Sequence, residues 1–151
     1  MQHRLCAGTL VHQEGRVLLV RHMRPGKYDF WVAPGGGVQG EESLAHAAQR
    51  EAREETGIEV EATRMAYVEE LMNPETRHCK FWFTARATGG HLSVASPEAK
   101  GEYIVEAAWL SPQEMEGKIV FPLVLQGRYW SDLALGFPAT VHLPLRQMQF
   151  W

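Results

Sequence analysis

The sequence is poor in the features that mark several large classes of protein. It has only two cysteines in 151 residues, Cys6 and Cys79, and their separation matches no metal-binding or redox motif. We therefore expect reduced thiols, the usual state in the cytoplasm. The apolar run at residues 5–11 is too short to span a bilayer, and no small-residue cleavage site follows it. These absences predict a cytoplasmic protein that has no membrane partner.

A strong charge of either sign is also missing. The 18 acidic and 15 basic residues leave a net charge of −3, so the chain lacks the basic surface that would follow a nucleic-acid polymer. No internal repeat, low-complexity tract or Pro/Gly/Ser-rich linker divides the sequence. Because 151 residues with 45% apolar content suffice for one hydrophobic core, we expect a single domain over residues 1–151.

Strand-like and helix-like segments are mixed along the chain, which predicts an α/β (α+β) fold class. Two apolar runs, 5–12 and 16–21, predict a β-hairpin. A polar loop is predicted at 22–27 and a short aromatic segment at 28–33. Three further strands are predicted at 59–71, 78–87 and 103–110; in the second, Lys80 and Trp82 share one face.

Helix signals are clearest in the first half of the chain. Regular structure is expected to break at the glycine-rich segment 34–37, and a helix is predicted at 43–56 with Gly57 as its C-terminal stop. A short helix should begin at Ser111, where the capping-box spacing to Glu114 encloses a proline. Beyond Phe121 we expect a helix and a closing segment that cover the sheet.

The predicted helix 43–56 carries acidic side chains on its apolar face. At about 100° per residue, Leu44, Ala48 and Ala52 define that face, and Glu51 and Glu55 lie in the middle of it. Burying an isolated carboxylate is costly, so nearby arginines or a hard divalent cation should compensate the charge. The alternative is a solvated acidic face, which is common for glutamate-rich helices.

The residue types favour Mg²⁺ or Mn²⁺ over zinc, because neither a cysteine nor paired histidines lie nearby in the sequence. The preceding glycines 35–37 leave backbone carbonyls and amides unshielded. A carbonyl there could complete a metal site and an amide could contact a phosphate. A plain glycine turn is the alternative.

Nine residues across positions 36–58 match the Nudix box at the required spacing: Gly36, Glu42, Arg50, Glu51, Ala52, Glu54, Glu55, Gly57 and Ile58. The chain therefore resembles the Nudix hydrolases, also called MutT-like, over residues 3 to about 116. It departs from many members at Gln39 and Glu41, but every specified position is filled. The resemblance implies a Nudix-type α-β-α sandwich with a mixed β-sheet. It also implies Mg²⁺-dependent hydrolysis of a phosphoanhydride bond in a small nucleoside diphosphate-linked substrate, such as a (d)NTP or ADP-ribose.

The resemblance also implies roles for single residues. Glu51, Glu54 and Glu55 would bind Mg²⁺, with Mn²⁺ as the other option, and the Gly36 carbonyl would be a further ligand. Arg50 would orient the glutamates through charge-assisted hydrogen bonds.

Two supporting acids complete this set of expectations. Glu42 would have an electrostatic role. The family often adds a carboxylate after the box, for which Glu98, Glu102 and Glu106 are candidates and Glu102 is favoured. Either Glu51 or this later acid would be the general base.

Substrate recognition is the least determined part of the sequence. Arg21, Arg24 and Lys27, together with His22, could bind substrate phosphates or form a solvated loop. The aromatic side chains of Tyr28, Trp31 and Trp82 could stack on a base, although core packing is the stronger hypothesis. Pro74 lies near where ADP-ribose-cleaving members carry a proline.

Three other functions stay open. A nucleotide-sensing module on the same fold should have lost box glutamates, which this chain retains. An isomerase on the fold should need an acid–base cysteine, whereas Cys6 and Cys79 lie in apolar strand contexts. The third is a stable domain with a solvated helix. The predicted partner is a small nucleotide, with no nucleic-acid polymer; a homodimer is possible.

Overall fold

A computed structural model describes residues 1–150, and a mixed β-sheet of ten strands is its framework. The strands are β1 Gln2–Gln13, β2 Arg16–Arg24, β3 Tyr28–Val32, β4 Gly35–Gly37, β5 Ile58–Met72, β6 Thr76–Gly90, β7 Ile104–Leu110, β8 Val120–Phe121, β9 Val141–His142 and β10 Arg146–Gln147. The helices are α1 Leu44–Thr56, α2 Pro97–Gly101, α3 Pro112–Met115 and α4 Tyr129–Ala134, with a short 3-10 helix at Leu123–Gln126.

The sheet is mixed because its central strand has neighbours of both directions. Strand β1 runs parallel to β6 and antiparallel to β2 and β4. Along the sheet the order is β10, β5, β6, β1, β2, β3, β8, while β7 pairs with β2 and β9 with β5. The predicted α+β class with a mixed sheet is confirmed.

Side-chain alternation in the strands builds a hydrophobic core on each face of the sheet. Leu10 and Leu19 pack in the cluster that includes Tyr129, whereas Val11 and Leu18 pack on the other face with Ala52 of α1. Neighbouring residues of a strand point to opposite faces, so the same strands contribute apolar side chains to the core on each side of the sheet. The predicted α-β-α sandwich is confirmed.

Helix α1 forms where the sequence predicts it. The Ser43 hydroxyl accepts a hydrogen bond of 3.1 Å from the His46 amide, and Gly57 ends the helix with a φ of 77°. Ala47, Ala48 and Ala52 are fully buried against the sheet. Their small side chains let the helix axis approach the strands closely.

Two local predictions were wrong. Residues Gly35–Gly37 do not break the regular structure; they form β4 against β1, where a Cβ at Gly35 would lie 2.7 Å from the Gly8 Cα, so only glycine permits this approach. The first half of the predicted polar loop 22–27 is strand, because β2 continues to Arg24 and gains backbone partners from β3.

The C-terminal third covers the core as expected, but it also extends the sheet. Leu125 of the 3-10 helix, Tyr129 of α4 and Phe137 are buried, while β9 and β10 each run parallel to β5. Within residues 1–150 no helix has both the length and the apolar character needed to cross a membrane.

Candidate active site

A cavity of about 320 Å³ lies against the sheet, beside the glycines of β4. Residues of β1, β2, β3, β4 and β6 line it, together with Glu102 and Tyr103, which precede β7. Its volume lies at the lower end of the range of about 300–1,000 Å³ typical of small-molecule sites. The glycines of β4 bring the backbone to its wall, next to the acidic face of α1.

Glu51 lies against Gly36 so closely that a side chain at position 36 would fit only if the Glu51 carboxylate moved. A Cβ at position 36 would lie 2.6 Å from Oε1 of Glu51 and 2.7 Å from its carboxyl carbon. Both Glu51 and Glu55 are buried, with 7% and 1% of their surface exposed. The predicted inward orientation of these two glutamates is therefore confirmed.

Arg50 connects the loop before α1 to the acids on the helix. Its guanidinium donates two hydrogen bonds to Glu42, of 2.7 and 3.0 Å, and one of 3.1 Å to the Gly37 carbonyl. Its Nη1 donates to Glu51 at 2.9 Å and to Glu54 at 3.1 Å. The hydrogen bonds from Arg50 lower the pKa of Glu42 to about 2. This network holds together the carboxylates of Glu42, Glu51 and Glu54, which would otherwise repel one another.

Glu55 is the most deeply buried acid of the site. Its Oε1 has no hydrogen-bond partner among the described residues. Burial raises the pKa of its carboxyl well above the usual value, and the neighbouring Glu51 and Glu102 raise it further. A buried carboxylate without a donor requires a positive charge or a proton beside it.

Glu102 and His22 bring further ligand atoms to Glu55. One ring nitrogen of His22 and one carboxylate oxygen from each glutamate all lie within 4.8 Å of one another. Burial, followed by the charge of Glu51, raises the pKa of the Glu102 carboxyl. Burial also lowers the pKa of His22 to about 4, so its ring is neutral near pH 7.

These residues suit a divalent cation. The charge of Glu51 raises the pKa of Glu55 and of Glu102, beyond the larger effect of burial, and Oε1 of Glu55 has no donor among the described residues. Oxygen-rich acidic sets of this kind are typical of Mg²⁺ and Mn²⁺ sites. Glu54 has one carboxylate oxygen engaged by Arg50 at 3.1 Å and lies at the edge of the set.

Two basic side chains supply positive charge to the same cavity. Arg4 of β1 and Lys80 of β6 line the cavity together with His78. Burial, and then the positive charges of Arg4 and Lys80, lower the pKa of His78. We call Arg4, Lys80 and His78 the basic side of the cavity, and Glu102 with the neighbouring Glu51 and Glu55 its acidic side.

The structure separates the basic residues that the sequence grouped as substrate-binding candidates. Arg21 points away from this cavity and binds Asp29 through two hydrogen bonds of 2.7 and 2.8 Å. Arg24 stacks at 4.3 Å over the ring of Tyr103, which lines the cavity. Lys27 is exposed in the turn between β2 and β3. Of these three side chains, Arg24 is the one with a described contact to the side chain of a lining residue.

The other candidate acids and aromatic residues also divide by position. Glu98 is exposed on α2, and Glu106 lies beside Arg21 at a different cavity, so of the three later acids Glu102 alone joins the cluster. Trp31 and Trp82 are buried in the core, as the packing hypothesis predicted, whereas Tyr28 lines the cavity.

The cysteines and Pro74 add little to this chemistry. Cys6 lines the cavity, but burial raises the pKa of its thiol. Cys79 is partly buried, and neither cysteine is in a disulfide. Pro74 lies in the turn between β5 and β6, away from the lining residues.

The sequence pattern did not predict that His22, Arg4, His78 and Lys80 line one cavity. A usable signal existed for the first of them. If the strand 16–21 is extended by three residues, alternation places His22 on the same face as Leu18 and Val20 and Arg21 on the opposite one. The other three come from β1 and β6, whose parallel pairing could not be read from the sequence.

Comparison with known proteins gives consistent matches. The NUDIX domain family matches residues 2–129. The chain is 29% identical to an RNA pyrophosphohydrolase of Erythrobacter litoralis over 136 residues, covering 80% of this chain and 83% of that protein. It is 35% identical over 101 residues to an 8-oxo-dGDP phosphatase of Homo sapiens, covering 67% of this chain but 30% of that protein.

The solved structures agree with this match. A NUDIX hydrolase from Nitrosomonas europaea superposes with a TM-score of 0.75 at 21% identity, covering 98% of this chain and 81% of that one. The chain thus spans most of the length of the Erythrobacter litoralis and Nitrosomonas europaea proteins but about a third of the length of the 8-oxo-dGDP phosphatases.

Proposed function

Because the chain belongs to the NUDIX hydrolase family, whose members act on nucleoside diphosphate-linked substrates, we propose that it hydrolyses the pyrophosphate bond of a small nucleotide with Mg²⁺ or Mn²⁺. The observation that carries this proposal is the cavity lined by Arg4, Lys80 and Glu102, with the buried carboxylates of Glu51 and Glu55 next to Gly36 and Glu102. A pyrophosphate is anionic, so it needs positive charge on both sides.

Residues of the acidic side would hold the cation. Glu51, Glu54 and Glu55 are the proposed carboxylate ligands, with the Gly36 carbonyl beside them. A divalent cation bound there would offset the negative charge of the pyrophosphate and lower the pKa of water. Arg50 acts as a positioning residue, since its hydrogen bonds at 2.9 and 3.1 Å fix Glu51 and Glu54 before the cation binds.

Residues of the basic side would orient the substrate. Arg4 and Lys80 offer charge-assisted hydrogen bonds to phosphate oxygens, and His78 offers a neutral donor. Tyr28 lines the same cavity and offers an aromatic ring to a base. Of the basic candidates in segment 21–27, Arg24 is the proposed phosphate contact, because it stacks on the lining residue Tyr103.

A proton acceptor is required for the attacking water. Glu51 and Glu102 both have carboxylates at the acidic side of the cavity, and either would take this proton as general base. The negative charges of the box glutamates also argue against a nucleotide-sensing module, which has no need for a buried acid such as Glu55.

We further propose that the substrate is a mononucleotide derivative and not an RNA end. The cavity of about 320 Å³ is one nucleotide in scale, and the net charge of −3 offers little attraction to a polymer. The relative from Erythrobacter litoralis is named for action on RNA, which makes RNA the competing substrate to test.

The test is a competition assay at physiological salt. The purified chain is offered a panel of (d)NTPs, 8-oxo-dGDP, ADP-ribose, dinucleoside polyphosphates and nucleotide sugars, together with a 5′-triphosphorylated and a capped oligonucleotide. We expect phosphate or nucleotide release from a member of the small-molecule panel. A higher kcat/KM on either oligonucleotide, or tight salt-dependent RNA binding without cleavage, would contradict the substrate proposal.

The setting of the reaction is part of the proposal. We place it in the cytoplasm, on the grounds of the two unpaired thiols of Cys6 and Cys79. A homodimer is a hypothesis that sedimentation analysis of the purified chain would decide.

A further inference from the structure

We propose that His22 is a nitrogen ligand of the catalytic cation, beside Glu55 and Glu102, and that this ligand makes the site prefer Mn²⁺ to Mg²⁺. The inference rests on the proposed function, because it concerns the cation that the hydrolysis would use. It goes beyond the set of box glutamates, to a residue of strand β2 that lies outside the box.

The first argument is the geometry of the three side chains. Their ligand atoms lie within 4.8 Å of one another. Ligands of a single ion at about 2.1 Å stand about 3–4.2 Å apart, so small side-chain adjustments bring the three to one centre. His22 is 8% exposed, Glu55 is 1% exposed, and Oε1 of Glu55 has no hydrogen-bond partner among residues 1–150. A buried acceptor oxygen without a donor, in a carboxylate that belongs to such a cluster, indicates a bound positive charge.

The second argument is the orientation of the imidazole ring. Nδ1 of His22 lies 3.1 Å from the backbone carbonyl of Glu102, and a carbonyl only accepts hydrogen bonds. Nδ1 must therefore carry the hydrogen, which leaves the lone pair of the neutral ring on Nε2. A backbone carbonyl that fixes the tautomer in this way is the usual support of a metal-binding histidine.

The ring is also held in place before any cation binds. It stacks on Phe30 with 5.1 Å between ring centroids and 2° between the planes. Arg21 and Met23, on either side in the strand, point away from it to the other face. The position of the lone pair is thus set by packing and by one backbone hydrogen bond.

The chemistry of the donors favours a cation over a phosphate as the partner of Nε2. A lone pair repels the oxygens of an ionised phosphate, whereas it binds a metal ion directly. Imidazole nitrogen suits transition metals, while Mg²⁺ strongly prefers oxygen. One nitrogen among carboxylate oxygens should therefore shift the selectivity toward Mn²⁺.

The experiment is pulsed electron paramagnetic resonance of Mn²⁺ bound to the full chain, without substrate. The wild type should show a ¹⁴N coupling that changes to ¹⁵N when the histidines are isotopically labelled. His22→Asn keeps an amide donor for the Glu102 carbonyl but removes Nε2, so the coupling should disappear. His78→Asn is the matched control, because His78 lines the same cavity outside the cluster, and the coupling should persist.

A second readout is the displacement of bound Mn²⁺ by Mg²⁺. Even outer partners of a metal ligand change affinity by about 10–100-fold, so His22→Asn should reduce the Mn²⁺ preference at least about tenfold, and His78→Asn should not. His22→Gln repeats the test if the asparagine variant is unstable.

The result that overturns the inference is Mn²⁺ binding by the wild type without histidine coupling, or coupling that survives in His22→Asn. Absence of Mn²⁺ binding overturns it as well. Hydrolysis of nucleotides with Mg²⁺, measured in parallel on the wild type, reports on the proposed function alone. The two proposals can therefore fail separately.

Discussion

Replacing Gly36 with alanine should disable the site while leaving the fold intact. The added Cβ would lie 2.6 Å from Oε1, 2.7 Å from the carboxyl carbon and 2.9 Å from Oε2 of Glu51. Ordinary van der Waals contact begins at 3.4 Å, so the nearest oxygen must retreat by roughly 0.8 Å. A displacement of about 1 Å in a catalytic group costs on the order of 100-fold in rate, and we expect that loss in kcat/KM.

The matched control is Gly37→Ala, one residue further along β4. There a Cβ would meet the end of the Arg4 side chain, 2.8 Å from Nη2, so this flexible, exposed group must shift and its proposed contact with phosphate weakens, which raises KM and leaves kcat unchanged. Neither glycine has a positive φ, so alanine is compatible with the backbone at both positions. We expect Gly37→Ala to lose less than about tenfold in kcat/KM.

We would measure kcat/KM of each variant with the best substrate of the panel, and its unfolding midpoint by thermal denaturation. Unfolding midpoints close to the wild type for both variants would show that the comparison concerns the site and not the fold. Near-wild-type kcat/KM for Gly36→Ala, or equal losses in the two variants, would refute the reasoning from the Glu51 contact.

Two further predictions concern the acid cluster and a distant ion pair. Glu54→Gln and Glu55→Gln should each lower turnover at least about 100-fold, and turnover equal to the wild type at limiting Mg²⁺ would contradict this loss. In chelator, Glu55→Gln should also raise the unfolding midpoint, because burial raises the pKa of Glu55 and its ionised form destabilises the fold. Hydrogen bonds from Arg128 and Tyr67, of 2.7 and 2.6 Å, hold the pKa of Asp132 below its usual 3.8, so their stabilisation is present above about that pH and is lost below it. Asp132→Asn should therefore lower the unfolding free energy at neutral pH by about 1.5–3 kcal/mol, and urea unfolding should show this difference shrinking as the pH falls below the usual value.

Helix α1 could be predicted well because its information is local. Its cap, its alanines and its C-terminal glycine all lie in one stretch, and the helical period places Glu51 and Glu55 on the buried face. The same period brings Arg50 next to Glu54, and the two side chains form an ion pair of 3.1 Å.

Strand β4 and His22 could not be predicted as easily because tertiary contacts decide them. Three glycines have no strand propensity of their own; they form β4 because only glycine at position 35 can approach Gly8 of β1. His22 belongs to β2 because β3 completes its backbone pairing, and a polar sequence conceals that continuation.

The basic side of the cavity depends on contacts between distant parts of the chain. Arg4 and Lys80 meet because β1 and β6 are parallel neighbours, in the register that pairs Arg4 with His78. A grouping by sequence proximity chose Arg21 instead, which strand alternation turns toward Asp29.

The proposed function requires that the acids around Gly36 act through a bound divalent cation. The most direct test is to strip the purified chain with chelator and then follow hydrolysis of its best nucleotide substrate while Mg²⁺ or Mn²⁺ is added back. We predict no turnover without the cation, saturable recovery in the wild type, and no recovery in Glu55→Gln. Hydrolysis by the stripped protein, or full recovery in Glu55→Gln, would contradict the claim.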